Sequence, residues 1–179
     1  DTKPIREGWV VKEDMLDISG RSRSRQIELA SEFGIVDYPH PAGGCLLTDR
    51  NYTLRLQDLI NHNQMDSTNL ELLKYGRHFR LDKQLKLIVG RDEAENIELE
   101  KIAGSMPQLK ACDYTGPIGI LTADPGDGLS LAAQIFLHYV NKARDEADIE
   151  LSRSGREVSI IRARKPVLEI LKLYRLSYD

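Results

Sequence analysis

Long apolar runs are missing from this sequence. None approaches the roughly 18 residues of a bilayer-spanning helix, so no segment reads as transmembrane. Cysteine is scarce: Cys45 and Cys112 are the only two, which is no disulfide framework and points to a reducing, cytoplasmic setting. Glycine and proline, 13 and 7 of 179 residues, are too few for a collagenous or low-complexity chain. The start, DTKPIREGWVV, has no apolar signal core and no initiator Met, which fits either a fragment of a longer chain or a processed one. No excess of positive charge exists: 25 Lys and Arg against 28 Asp and Glu give a net charge of −3. A globally basic nucleic-acid binder is thereby excluded, but a local basic face is not.

What is present reads as α+β, with helices first and a mixed module after them. A helix is expected from Ser22 or Ser24, with Ile27, Ala30 and Phe33 on one face and Gly34 as its stop. The stretch Asp37-Tyr-Pro-His-Pro-Ala-Gly-Gly44 forbids helix or regular strand and ends in Cys45. Thr48 or Asp49 can cap a second helix through Leu54, Leu56, Leu59 and Ile60, and Thr68-x-x-Glu71 is a capping-box pattern for a third. The period then changes. Residues 77–81 and 85–89 alternate like strands around an Asp82 turn. Asp92 caps a helix closed by Gly104, and residues 109–114 and 118–122 read as strands. A long helix is expected over 130–144, and residues 158–161 and 167–173 read as strands. Cys112, in an apparent strand, is expected in the core. The boundary is placed near Leu73, giving a helical region over 1–73 and an α/β module over 74–179.

Charge is clustered. Lys74, Arg77, Arg80, Lys83, Lys86 and Arg91 face Asp82 alone, and Arg21, Arg23 and Arg25 form another basic stretch. A third runs from Arg153 to Arg175. Within the first cluster, Gly76-Arg-His-Phe-Arg80 and Gly90-Arg-Asp-x-x-x-Asn96 form the leading candidate for a phosphate grip. Arginines beside Phe79 can hold a backbone, and Arg91 and Asn96 sit at a strand-to-helix junction that favours anions. The competing reading is a solvated sheet face with Phe79 in the core. Cys45 also admits two readings: an exposed thiol on a glycine turn, able to attack or carry a persulfide, or a small buried residue leading into Leu46 and Leu47. His40 and His78 are lone histidines. No Cys-x-x-Cys or His-x-Cys spacing suggests a metal site, Ser19-Gly-Arg-Ser22 lacks the Lys-Ser/Thr ending of a P-loop, and no Ser-Gly-Gly-x-Asp-Ser element is present.

Two resemblances follow from these motifs. Asp17-Ile-Ser-Gly-Arg-Ser-Arg-Ser-Arg-Gln26, Glu32-Phe-Gly-Ile35 and Tyr38-Pro-x-Pro-Ala-Gly-Gly-Cys-Leu-Leu-Thr-Asp49 resemble the region that follows the ATP-pyrophosphatase domain in bacterial tRNA thiouridine synthases. In the 2-thiouridylase branch an Asp-Ser-x-x-x-Cys-Phe element carries the persulfide; here Pro41-Ala-Gly-Gly44 replaces its Asp-Ser part. The resemblance implies Cys45 as catalytic persulfide carrier, ATP used by a domain outside this chain, tRNA and a sulfur-donor protein as partners, and an iron–sulfur cluster in a related branch.

From about Lys74 onward the sequence resembles the NFACT-R RNA-binding domain. The carriers are Ile88-Val-Gly-Arg91 with Asn96, the Gly116-Pro117 turn, Lys142-Ala-Arg144 and Lys165-Pro166. Asp92 stands where that family has Asn, and Ala111-Cys-Asp-Tyr114 where it has Trp-Phe-His. This resemblance implies RNA, not DNA or membrane, as partner, held by Lys74, Arg77, Arg80, Lys86, Arg91 and Asn96, while the first resemblance implies that Arg21, Arg23 and Arg25 help position the RNA backbone. Together they imply the tRNA-binding part of a tRNA uridine sulfurtransferase. The alternative is a non-catalytic RNA- or ribosome-associated module with Cys45 structural.

Overall fold

The structure is a computed structural model that describes residues 2–14, 16, 18, 23–36, 45–153 and 157–178. The chain divides into two compact units, Asp1–Gly43 and Gly44–Asp179. The division falls well before Leu73, because two of the three helices expected in the first region, those capped near Asp49 and before Glu71, belong to the unit that holds the sheet. The first unit holds α1 (Lys3–Arg6) and α2 (Ser24–Glu32), and neither contains a buried residue. Gly34, at φ +65°, ends α2 as its sequence suggests.

The second unit is built on a six-stranded sheet: β1 (Arg77–Arg80), β2 (Lys86–Val89), β3 (Gln108–Ala111), β4 (Gly119–Leu121), β5 (Glu146–Arg153) and β6 (Glu157–Arg164). The order is β1-β2-β4-β3-β5-β6 with every neighbour antiparallel. The helices are α3 (Arg50–Asn61), α4 (Ser67–Leu72), α5 (Glu93–Ala103), α6 (Leu129–His138) and α7 (Leu168–Tyr174). The α+β class holds.

Three helix starts, those of α3, α4 and α5, have a local cause. The carboxylates of Asp49, Asp66 and Asp92 accept the Tyr52, Asn69 and Glu95 backbone N–H groups at 2.8, 2.8 and 2.9 Å. Asp66 thus does the work expected of Thr68. One core joins α6 and α7 to the sheet through Phe79, Leu87, Leu109, Phe136, Ile149, Leu151 and Leu171. A second joins α4 and α5 to its other face through Leu72, Ile88, Leu99, Ile118 and Ile120. Apolar burial on this scale is the main stabilising contribution, at about 25 cal/mol per Å².

Three expectations are corrected. Residues 168–174 are helix rather than strand: the segment follows Pro166 and buries one face through Leu171 instead of pairing. The helix expected over 130–144 stops at His138, and Lys142 then turns the chain at φ +61°. Cys112 is exposed just beyond β3 rather than in the core.

Candidate nucleic-acid interface

The alternation of β1 sorts its cations. Arg77 and Phe79 share one face, and His78 and Arg80 the other. On the first face the Arg77 guanidinium lies over the Tyr139 ring, 4.8 Å from its centroid, while its Nη1 donates to the Gly90 carbonyl at 3.2 Å. Tyr139 packs against Phe79 at 5.8 Å and edge-on against His138 at 4.9 Å. Burial lowers the His138 pKa, with Lys165 and Arg77 adding to the fall.

Arg77, Tyr139 and His138 line an open cleft of about 620 Å³, with Gly90, Arg91, Asn96 and the Thr115–Pro117 turn opposite and Asp92 and Glu93 at its rim. Arg91 is half exposed. Its Nη2 donates to the Gly76 carbonyl at 3.1 Å, and Glu95 holds its Nε at 3.4 Å. The other Glu95 oxygen accepts the Gly76 and Arg91 N–H groups at 3.1 and 3.0 Å. One carboxylate therefore locks the loop before β1 to the start of α5.

Asn96 works inward. Its Oδ1 accepts the Ile118 N–H at 3.1 Å, and a Cβ at residue 90 would lie 2.0 Å from that oxygen. Gly90 is thus required by close packing, and Asn96 pins the Gly116-Pro117 turn that forms one wall. The glycine at position 76 is fixed by a φ of +74°.

Two of the expected RNA contacts are corrected. Arg80 forms a two-pronged ion pair with Asp58 on α3 and is largely buried. Lys86 is 1% exposed, with its Nζ 3.9 Å from Asp58. Burial pushes the Lys86 pKa down to about 8, against the attraction of Asp58. Arg80 is left little exposed and Lys86 hardly at all, with Asp58 of α3 beside both. His78 is also buried, its Nε2 2.8 Å from the Tyr75 carbonyl oxygen, and burial holds its pKa well below the usual range.

Lys74 is exposed and paired with Glu71 at 3.0 Å. Arg23 and Arg25 are exposed on the first unit, donating to Gln26 at 2.9 Å and to Glu28 at 3.2 Å. Arg21, His40 and residues 41–44 lie outside the described residues. Cys45 is exposed, so the reading of it as a buried apolar residue is set aside. The chain's two thiols are fewer than an iron–sulfur cluster takes, and no group of three potential metal ligands occurs among the described residues. These residues do not fit a cluster by themselves.

Sequence reasoning missed Tyr139 and His138 as cleft residues, because they were assigned to a longer helix. It also missed Arg55, which lies on the same helical stripe as Asp58 and Leu59. A charged pair at that spacing within a leucine-rich helix was the available signal.

This fold and cleft define a small antiparallel module with an arginine–aromatic wall, suited to an anionic ligand that carries a ring. Residues 76–174, more than half of the chain, match the NFACT protein RNA binding domain, and the chain belongs to that family. No curated protein matches it. Among solved structures it is similar to the C-terminal part of the fibronectin/fibrinogen-binding protein from Streptococcus suis, at 16% identity and a TM-score of 0.49. That match covers 73% of this chain and 63% of the other, so the chain spans less than two thirds of its length.

Proposed function

We propose that this RNA-binding module serves tRNA thiolation: the chain holds tRNA for a uridine sulfurtransferase whose ATP-using domain lies outside it. The observation that carries the RNA part is the Arg77–Tyr139 stack, 4.8 Å from guanidinium carbon to ring centroid, in one cleft with Arg91. A guanidinium preset over an aromatic ring offers its free edge to a phosphate, and the neighbouring rings offer a platform for an unstacked base. The thiolation part rests on the motif series from Asp17 to Asp49 and on the exposure of Cys45. On this reading Cys45 carries persulfide sulfur delivered by a donor protein in the cytoplasm; its terminal sulfur attacks the adenylated uridine carbon, AMP leaves, and a second thiol, from the domain outside this chain or from a thiol reductant, then attacks Cys45 Sγ, releasing thiouridine and leaving Cys45 in a disulfide. Thiol exposure favours this role over a structural one.

Titration of unmodified tRNA by fluorescence anisotropy tests the RNA part. Arg77→Gln and Tyr139→Leu are each expected to weaken binding about tenfold, since a base–aromatic stack contributes about 1–3 kcal/mol. Unchanged affinity in both would remove the cleft from RNA binding. In the full-length protein, Cys45→Ser is expected to abolish thiolation while tRNA still binds; undiminished thiolation would remove Cys45 from the mechanism.

A further inference from the structure

Arg55 is 9% exposed, yet it is not fully satisfied. Its Nη1 donates to the Leu73 carbonyl at 3.1 Å, whereas its buried Nε finds no hydrogen-bond partner among the described residues. A buried guanidinium with an orphan N–H is costly unless something completes it. Arg55 lines a second cleft, of about 210 Å³, together with Lys74, Arg91, Asn51, Tyr52 and Asp49. That volume is below the roughly 300 Å³ at which pockets for drug-sized ligands begin, so it suits a small group.

The charge in this cleft is one-sided. Arg55, Lys74 and Arg91 converge on it, and Asp49 is the one carboxylate among its described lining residues. Asp49 is engaged as the cap of α3, where it accepts the Tyr52 N–H. Lys74 leans on the exposed Glu71, and Arg91 on Glu95. Burial pushes the Arg55 pKa down to about 10; Arg91 adds to the fall, and Asp49 and Glu95 oppose it. Two guanidinium groups that repel each other in a partly dry cleft would be relieved by an incoming anion. The start of α3, a helix of 12 residues, adds its positive end to the same place.

We infer that this cleft is a phosphate subsite, in which the guanidinium groups of Arg55 and Arg91 and the Lys74 ammonium hold a phosphate group, with the Arg55 Nε–H beside it as reporter. The ligand chemistry is a phosphodiester within a nucleic-acid strand, a terminal phosphomonoester, or free phosphate. Arg91 lines both clefts. A strand with a base against Tyr139 therefore places a neighbouring phosphate here, a step that rests on the RNA-binding reading, whereas the subsite itself does not.

The test follows the Arg55 Nε–H resonance in the whole chain labelled with nitrogen-15. Inorganic phosphate at millimolar concentration is added, with chloride at matched ionic strength as the control. A saturating shift with phosphate alone is expected, and Lys74→Gln should weaken it about tenfold, the value of one charge-assisted hydrogen bond. No shift, or an equal drift with chloride, would overturn the subsite. Single-stranded RNA ending in a 5′-phosphate or a 5′-hydroxyl then separates the sources. Equal shifts identify a backbone phosphodiester, and a shift with the phosphorylated strand alone identifies a terminal group. A phosphate response without any RNA binding identifies free phosphate and sinks the RNA reading instead. RNA that binds while Arg55 answers to inorganic phosphate alone identifies free phosphate and overturns the step that places a strand phosphate here; RNA that binds while Arg55 answers to neither overturns the subsite and leaves the RNA reading intact.

Discussion

At the scale of single residues, the most informative position is Lys86. It sits in a strand with all four residues buried, and among the described residues the one carboxylate its ammonium meets is Asp58, already gripped by Arg80. Its folded pKa of about 8 lies below the 10.5 of a free lysine, so the fold disfavours the charged form. The unfolded chain then binds more protons between these two values, and stability must rise as pH climbs from 8 towards 10.5. Full release of that penalty amounts to about 3 kcal/mol, at 1.36 kcal/mol per pH unit. Urea unfolding at pH 7.5 and pH 10 is expected to show the rise in the natural chain. Lys86→Met, which leaves Asp58 with Arg80, should flatten it; the same rise in the variant would mean that Lys86 is not its source. This lysine also shows how far the sequence could be read. A cationic cluster over 74–91 was visible, but whether each cation faced solvent was not. For Arg77 and Arg80 the alternation pointed the wrong way: Arg77 shares the parity of the buried Phe79 yet reaches the cleft, whereas Arg80, on the opposite face, is covered beside Asp58 of α3. For Lys86 it gave no answer, since every residue of β2 is buried and the carboxylate beside its ammonium comes from α3, far away in sequence.

At the scale of elements, legibility followed the locality of the signal. The α5 helix was readable because its cap, Asp92, and its stop, Gly104, both belong to the helix itself. The β5 strand was overlooked although Ala147, Ile149 and Leu151 alternate with Asp148, Glu150 and Ser152; its acids disguised it as a solvated segment. The α7 segment read as a strand because Val167 to Leu173 is rich in residues that suit either form, and only packing of Leu171 decides. The α5 cap yields a prediction. Asp92 holds the Glu95 N–H and also places a negative charge at the rim of the Arg77–Tyr139 cleft. Asn caps as well as Asp, so Asp92→Asn should change stability by no more than about 0.5 kcal/mol. Losing the rim charge should tighten RNA binding roughly threefold, in the range of an exposed charge interaction. Asp92→Ala, by contrast, should cost about 1 kcal/mol of stability. Thermal unfolding and anisotropy on the same two variants check both halves, and weaker RNA binding by Asp92→Asn would show that the carboxylate contributes to the contact.

For the molecule as a whole, the net charge of −3 means that RNA attraction must be local. Much of the chain's positive charge is spoken for. Arg162 is paired with Asp148 at 3.1 Å and Glu146 at 3.8 Å, Arg153 with Asp124 at 3.0 Å, and Arg80 and Lys86 with the buried Asp58. What the second unit presents at its two adjoining clefts is Arg77 and Arg91, with Lys74 and Arg55 beside them. This count sets the salt dependence. Three or four phosphate contacts with a single strand imply a log–log slope of about −2 to −3, and thus a roughly twenty- to fiftyfold loss of affinity between about 50 and 200 mM salt. The uncorrected set, with Arg80 and Lys86 at the surface, calls on the same single-strand footing for about three hundredfold instead. Anisotropy titrations across that range decide between the two. The double reversal Arg77→Glu and Arg91→Glu should remove binding at low salt as well, because it turns both cleft walls negative. A slope near the steeper value would mean that further cations join the contact, and Arg23 and Arg25 on the first unit are then the next residues to reverse.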